Sequence, residues 1–160
     1  LAEERHMNAV ILLLKYYDSP DTLVGDAGIF TKHEFQTLYN DLTAAGSVSV
    51  EKAYETGAII EEMDIKDLSE TLDIVTNNNI ILVFENLLKG SRNHLRAFIR
   101  QLTNLGIIYT PVYISEEEFQ EIISSPMETG NQYWPNRYGR QGRHGNNSGQ
   151  NGQNGNGRGH

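Results

Sequence analysis

A carboxylate and an imidazole stand one helical turn apart near the start of the chain. Glu3 and His6 belong to residues 1–17, which read LAEERHMNAVILLLKYY. On a helix, His6 falls on the same face as Val10 and Leu13. A polar pair on an apolar helix face is costly to bury unless it is hydrogen-bonded or bound to something. The spacing therefore predicts a pair of metal ligands, as in the Glu-x-x-His motifs of four-helix bundles, or else a helix cap or a core hydrogen bond.

Two more candidate ligands lie on helices predicted further along the chain. Glu61 falls in the apolar row of a helix that begins after Ser49, whereas the adjacent Glu62 falls on the polar face of that helix. His94 falls in the apolar row of the next helix, with Ser91 one turn before it. Snorkelling of Glu61 from the buried face towards solvent is the alternative to a ligand role.

The candidate ligands are oxygen and imidazole nitrogen donors, which suit iron, manganese or zinc. They are Glu3, His6, Glu61 and His94. The chain has no cysteine, which excludes thiol catalysis, disulfides and thiolate metal sites. A carboxylate-bridged metal pair draws on four helices for its carboxylates and histidines. The sequence therefore predicts part of such a centre. A bis-histidine haem site is a more distant alternative, because no attachment motif supports it.

Hydrophobic periodicity predicts an all-α fold with three long helices and short accessory helices. Thr31, Ser49 and Ser115 each precede an apolar-periodic run and are predicted N-caps. Gly106 is predicted to end the helix that carries His94. Residues 107–114 contain a proline and are predicted to lie extended across the bundle.

Composition divides the chain into a helical domain of residues 1–130 and a low-complexity tail of residues 131–160. The formal net charge is −8, yet all 21 acidic residues lie in the first part and the tail holds four arginines and no acid. The acidic body argues against general nucleic-acid binding, which leaves the tail as the only candidate for such binding. The tail offers too little apolar surface to fold and is predicted to be disordered.

Three arginines follow one another at spacings of four along the predicted helix that carries His94. Arg92, Arg96 and Arg100 are predicted to form a solvated, salt-bridged row of charges, and a site for an anion or a partner is the alternative.

Five segments match a known family in order. They read AEERHMNAV, GIFTKHEFQTLYNDL, GAIIEEMDIKDL, ENLLKGSRNHLRAF and YTPVYISEEEF. Over residues 1–124 the chain resembles the ferritin-like family catalogued as domain of unknown function 2202. The resemblance implies an up-down four-helix bundle with a di-metal centre, intact or degenerate, faced by Glu3, His6, Glu61 and His94. Ser91 stands where a carboxylate would serve the second metal, so that position stays open.

Family members carry an earlier acidic helix that this sequence does not include. We therefore expect the bundle to be completed either by an upstream helix or by another copy of the chain in a homo-oligomer. No run of 18 apolar residues is present, so we expect no membrane span. Both a cytoplasmic and a secreted location stay open.

Two functions from different classes follow. The first is a metal-binding protein with an iron or manganese di-metal centre, or zinc, handling oxygen, peroxide or iron; as an enzyme it would be a di-iron oxidoreductase. The alternative is a non-enzymatic structural or interaction protein on a degenerate bundle, with the tail mediating assembly or binding.

Overall fold

A computed structural model describes residues 2–19 and 26–129, and five α-helices account for most of them. They are α1 (Ala2–Tyr16), α2 (His33–Gly46), α3 (Val50–Ile74), α4 (Asn78–Asn104) and α5 (Glu116–Ser124). No strand occurs in the described part of the chain, so the all-α prediction is confirmed there, and a four-helix bundle is consistent with it. The tail predicted for residues 131–160 lies outside the described residues.

The core lies between α3 and α4, which are joined by residues 75–77 and pack along their length. Both helices contribute apolar side chains at spacings of seven, so each presents one continuous stripe to the other. The fully or nearly fully buried members of these stripes are Ala58, Ile65, Leu72, Leu88, Leu95 and Leu102. Burying one leucine or isoleucine contributes on the order of 2 kcal/mol, so this pair of helices is the stable frame of the molecule.

The other three helices pack on this frame. The first helix packs against α4, the second against α3, and α5 against α4. The α5 contact buries Phe119 and Ile122 almost completely. No helix among the described residues is long and apolar enough to cross a membrane.

Two of the three predicted N-caps are confirmed. The Ser49 side chain accepts a hydrogen bond from the amide of Lys52, and the Ser115 side chain accepts one from the amide of Glu118. Each bond satisfies one of the amides that the first turn of a helix leaves without an intrahelical partner.

Of the other two predicted helix boundaries, one is wrong and one is confirmed. The N-cap predicted at Thr31 is wrong, because α2 begins at His33 with Lys32 in the capping position and no side-chain cap bond. The helix end predicted at Gly106 is confirmed: α4 ends just before it, and Gly106 has a φ of +75°, which a residue with a Cβ rarely adopts.

Asn77 ties the start of α4 to the end of α1. Its side chain caps α4 by accepting from the amides of Asn79 and Ile80, and it also accepts a hydrogen bond of 2.9 Å from the Tyr17 hydroxyl. One side chain therefore fixes the chain just after α1 against the first turn of α4, the two helices that carry the histidines discussed next.

Candidate functional site

The centre of the candidate site is a carboxylate–imidazole contact between the two longest helices. His94 Nδ1 of α4 lies 3.3 Å from Glu61 Oε1 of α3, and the Glu61 side chain is only 12% exposed. A carboxylate against one ring nitrogen fixes the tautomer and orientation of an imidazole, so that the other nitrogen can act as a base or as a metal ligand. The contact therefore makes His94 a candidate base or metal ligand.

His6 lies beside this pair. Its ring centroid is 5.9 Å from that of His94, with the two rings tilted by 45°. The His6 ring also lies over Gly90 of α4, where an added Cβ would come within 2.8 Å of His6 Nε2. A residue with a Cβ at this position would therefore require the His6 imidazole to move away from α4.

A groove of about 250 Å³ opens beside His6. It is lined by residues of three helices: His6 from α1, Asp64, Asp67, Leu68 and Thr71 from α3, and Leu87 and Ser91 from α4. Its two carboxylates follow Glu61 along α3 by one to two turns. The groove thus combines negative charge, hydroxyl groups and an imidazole, a lining that favours cations.

The donors suit a metal in type, and they are not arranged as a complete coordination sphere. Carboxylate and imidazole groups are the ligands that iron, manganese and zinc accept. Within residues 2–19 and 26–129, however, no group of three or more histidine, aspartate or glutamate side chains is placed to hold one metal ion. The fourth predicted ligand, Glu3, lies on α1, and its side chain is outside the described part of the structure. The structure thus brings three of the four predicted ligands together: Glu61 contacts His94, and the His6 ring lies next to that of His94.

The prediction for Glu62 is wrong, because this side chain is fully buried. Its Oε1 accepts a hydrogen bond of 2.7 Å from the Tyr109 hydroxyl. Its Oε2 accepts bonds from three successive backbone amides, those of Val112, Tyr113 and Ile114. Burial, together with the bond to Glu62 and the charge of that carboxylate, raises the pKa of Tyr109 well above its usual range, so this hydroxyl stays a donor.

Glu62 therefore explains the position of the segment after α4. Residues 107–114 form no helix or strand, as predicted, and they cross α3 with their amides directed at one carboxylate. Sequence reasoning missed this because the partners lie about fifty residues away and are mostly main-chain groups, which leave no signature in the side-chain pattern.

Two of the three arginines of the predicted row are salt-bridged, as predicted, but the prediction that they are solvated is wrong. Arg92 is 6% exposed and binds Glu128 through two bonds, from Nε to Oε1 at 2.8 Å and from Nη2 to Oε2 at 2.5 Å. Arg96 Nη2 adds a bond of 3.1 Å to Glu128 Oε1. Only Arg100 is exposed. We call residues 125–129, which follow α5 and carry Glu128, the strap.

The arginines also set the ionisation of Glu128. Burial by itself raises the pKa of this carboxyl, but the hydrogen bonds and charges of Arg92 and Arg96 outweigh burial and hold the pKa below its usual value. A folded-state pKa below the unfolded value means that the stabilisation is complete above the unfolded pKa. It is lost as the pH falls through the lowered folded pKa. The strap is therefore fully held at neutral pH.

Comparison with known proteins places the chain in a family. The sequence profile of the uncharacterized protein domain DUF2202 matches residues 1–126. The chain belongs to the DUF2202 family. A curated relative, the uncharacterized protein MJ0754 of Methanocaldococcus jannaschii, is 48% identical over 130 residues, which is 81% of this chain and 70% of the relative.

A solved crystal structure has a similar fold. The crystal structure of the hypothetical protein MJ0754 from Methanococcus jannaschii superposes with a TM-score of 0.77 at 47% sequence identity. The match covers 79% of this chain and 73% of that one. The membership of DUF2202 predicted from the sequence is thus confirmed.

Proposed function

We propose that this DUF2202 protein is a ferritin-like metal-binding protein whose site is centred on His94. The observation that carries the proposal is the 3.3 Å contact between His94 Nδ1 and Glu61 Oε1, with the His6 ring next to it. Side chains from three helices supply these groups, as in bundles whose metal ligands project inward from facing helices. Their donor atoms suit iron or manganese, and zinc is also compatible.

Each residue has a distinct role in the proposed site. Glu61 orients His94 and offers a carboxylate oxygen, while His94 and His6 offer imidazole nitrogens. Glu3 precedes His6 by one turn on α1 and is the further carboxylate that the family resemblance adds. A second metal would need carboxylates beyond these. A metal held here would supply Lewis-acid or redox chemistry toward oxygen, peroxide or iron.

The groove supports the proposal because its negative charge attracts a metal cation. Asp64 and Asp67 line it together with His6, so a cation that approaches His6 from this side meets negative charge. The attraction acts over roughly a Debye length, about 8 Å at physiological ionic strength, which is comparable to the distance spanned by one to two helical turns.

The alternative is a non-enzymatic structural or interaction protein on a degenerate bundle. Its support is the apolar surface that the helices leave exposed, including Leu12 and Tyr16 of α1 and Phe35 of α2. Under this alternative, the Glu61–His94 contact is a structural pair that holds α3 to α4.

Metal titration of variants decides between the two functions. Wild-type protein freed of metal is titrated with Fe(II) without oxygen, and with Mn(II) and Zn(II), and bound metal is measured by elemental analysis. We expect His94→Ala and His6→Ala each to weaken binding by at least about 10–100-fold, the usual cost of disturbing even the groups that support a ligand. Glu61→Gln should weaken it as well, because the amide loses the charge.

His33→Ala is the matched control, because His33 is exposed at the first turn of α2 and should leave binding unchanged. Wild-type protein that binds none of the three metals would refute the metal function and favour the alternative. Binding that is equal in wild type, His94→Ala and His6→Ala would place any metal elsewhere on the chain.

A further inference from the structure

Side chains of α4 bind both the side chain and the main chain of Glu128 in the strap, as a binding protein binds a peptide. We propose that the α4 surface formed by Arg92, Asn93 and Arg96 is a recognition site for one glutamate in an extended acidic peptide. The strap is the built-in occupant of this site, and a glutamate-bearing peptide supplied in trans takes its place when the strap is released. This site is independent of the histidines and of any metal.

The first set of contacts recognises the side chain of Glu128. Arg92 places Nε and Nη2 on the two carboxylate oxygens of Glu128, and Arg96 places Nη2 on Oε1. A planar guanidinium facing a carboxylate with two parallel bonds is selective for charge and for geometry. A glutamine in place of Glu128 would turn an amide donor towards a guanidinium, so the site should reject it. An aspartate, shorter by one methylene, would not reach both bonds.

The second set of contacts recognises the main chain of Glu128. Asn93 Nδ2 donates to the Glu128 carbonyl oxygen at 3.0 Å, and Asn93 Oδ1 accepts from the Glu128 amide at 2.9 Å. Satisfying both backbone groups of one residue fixes its direction whatever its neighbours are. Arg96 Nη1 in turn donates to Asn93 Oδ1 at 2.8 Å, which holds the asparagine in place.

Arg96, and through it Asn93, is held in place without the strap. Arg96 Nε donates to the carbonyl oxygen of Ile122 at 2.8 Å, near the end of α5. Because α5 is anchored by its own buried residues, Phe119 and Ile122, Arg96 keeps this partner when the strap leaves. Organisation before binding lowers the entropic cost of taking up a ligand.

Glu128 makes the contacts that hold the strap to α4, while Ser125 is bonded to α5 through its amide and its hydroxyl. Glu128 is 9% exposed, whereas Met127 is 59% exposed and Pro126 and Thr129 are also exposed. Little apolar area therefore holds the strap beyond the contacts of Glu128. Segments with few buried apolar contacts open without global unfolding, so the strap can leave while α5 stays packed.

Hydrogen exchange of the intact wild-type chain tests whether the strap opens by itself. The Glu128 amide, which is bonded to Asn93, is compared with the amide of Leu95 in the middle of α4. We expect the Glu128 amide to be at least about tenfold less protected, because its opening does not require the core to open. Equal protection of the two amides would show that the strap leaves only on global unfolding and would overturn the proposal.

A peptide titration tests the recognition itself. The protein is the full-length Glu128→Gln variant, and the probe is a blocked peptide of residues 124–130, SSPMETG. The readout is the NMR signal and exchange rate of Arg92 Nε–H. We expect the variant to lose protection at Arg92 by about tenfold or more and the peptide to restore it in a saturable way, at millimolar concentration because a tethered segment has an effective concentration of that order.

Two controls make the result specific. The same peptide with glutamine in place of its glutamate should bind at least about tenfold more weakly. For the double variants binding is followed at the Asn93 side-chain amide, which contacts the same glutamate. In the Glu128→Gln background, adding Arg92→Gln should abolish binding, and adding Arg100→Gln should not, because Arg100 is exposed and lies one turn beyond the site. Equal binding of the two peptides, or no binding of the glutamate peptide at about 10 mM, would overturn the proposal.

Discussion

Two adjacent glutamates of α3 have opposite environments. Glu61 contacts His94 and is partly exposed, whereas Glu62 is fully buried and accepts four hydrogen bonds. A buried carboxylate is tolerated only when its oxygens are satisfied, and hydrogen bonds to a charged group are each worth about 1.5–3 kcal/mol. Glu62 is therefore a structural residue, and Glu61 is the candidate functional one.

This difference predicts the outcome of matched substitutions. Glu62→Gln should lower the free energy of unfolding by about 3 kcal/mol, because the amide nitrogen cannot accept from the Tyr109 hydroxyl or the loop amides. Glu61→Gln should cost less than half as much, because its surroundings are more open. Urea denaturation of both variants at neutral pH measures the two values. Equal losses would contradict the assignment of the two roles.

At the scale of elements, α4 serves both proposed sites. Gly90, Ser91 and His94 face α1 or the groove, whereas Arg92 and Arg96 hold the strap. A helix can do this because successive residues are about 100° apart around its axis. The orientation of α4 about its own axis therefore positions both the histidine pair and the strap.

Gly90 gives a test of how closely α1 approaches α4. Alanine in a helix interior normally stabilises a protein by about 1 kcal/mol relative to glycine. At Gly90 the added methyl group would overlap the His6 ring, so we expect Gly90→Ala to destabilise by about 1–3 kcal/mol or to shift the His6 ring signals in NMR spectra.

The control for this substitution is Gly46→Ala at the end of α2. There an added Cβ would meet its nearest neighbour at an ordinary 3.6 Å, so stability should be unchanged or slightly higher. Thermal unfolding of both variants compares them. A stabilised Gly90→Ala variant with unchanged His6 signals would show that His6 does not lie against α4.

At the scale of the whole molecule, α1 and α2 expose large apolar side chains. Leu12 is 66% exposed, Tyr16 73% and Phe35 49%. Single exposed apolar residues are normal on a protein surface, whereas several on neighbouring turns indicate an interaction surface. A second copy of the chain packed against this surface would cover such residues.

We therefore predict that the chain of residues 1–160 associates in solution. Light scattering coupled to size-exclusion chromatography should give a mass above the 18.0 kDa of one chain. Leu12→Glu should shift the population towards the monomer. Ile108→Glu changes another exposed apolar residue, one that lies outside α1 and α2, and it should not shift the population. A monomer that binds no dye for exposed apolar surface would contradict this prediction.

The sequence alone determined the features that depend on near neighbours. Ser49 and Ser115 cap their helices through residues three positions away, and Gly106 ends α4 through its own backbone freedom. The helical phase of His6 and His94 also followed from spacing, because apolar periodicity reports which face of a helix is buried. Thr31 failed as a cap although the local pattern was correct, since Lys32 takes that position.

Only the tertiary structure decided what the buried charges bind. Glu62 is held by amides about fifty residues away, and Arg92 is held by a glutamate 36 residues away in the strap. Periodicity places such residues on a polar face because it counts side-chain types along one helix. It carries no information about a segment that later folds over that face and supplies the missing hydrogen-bond partners.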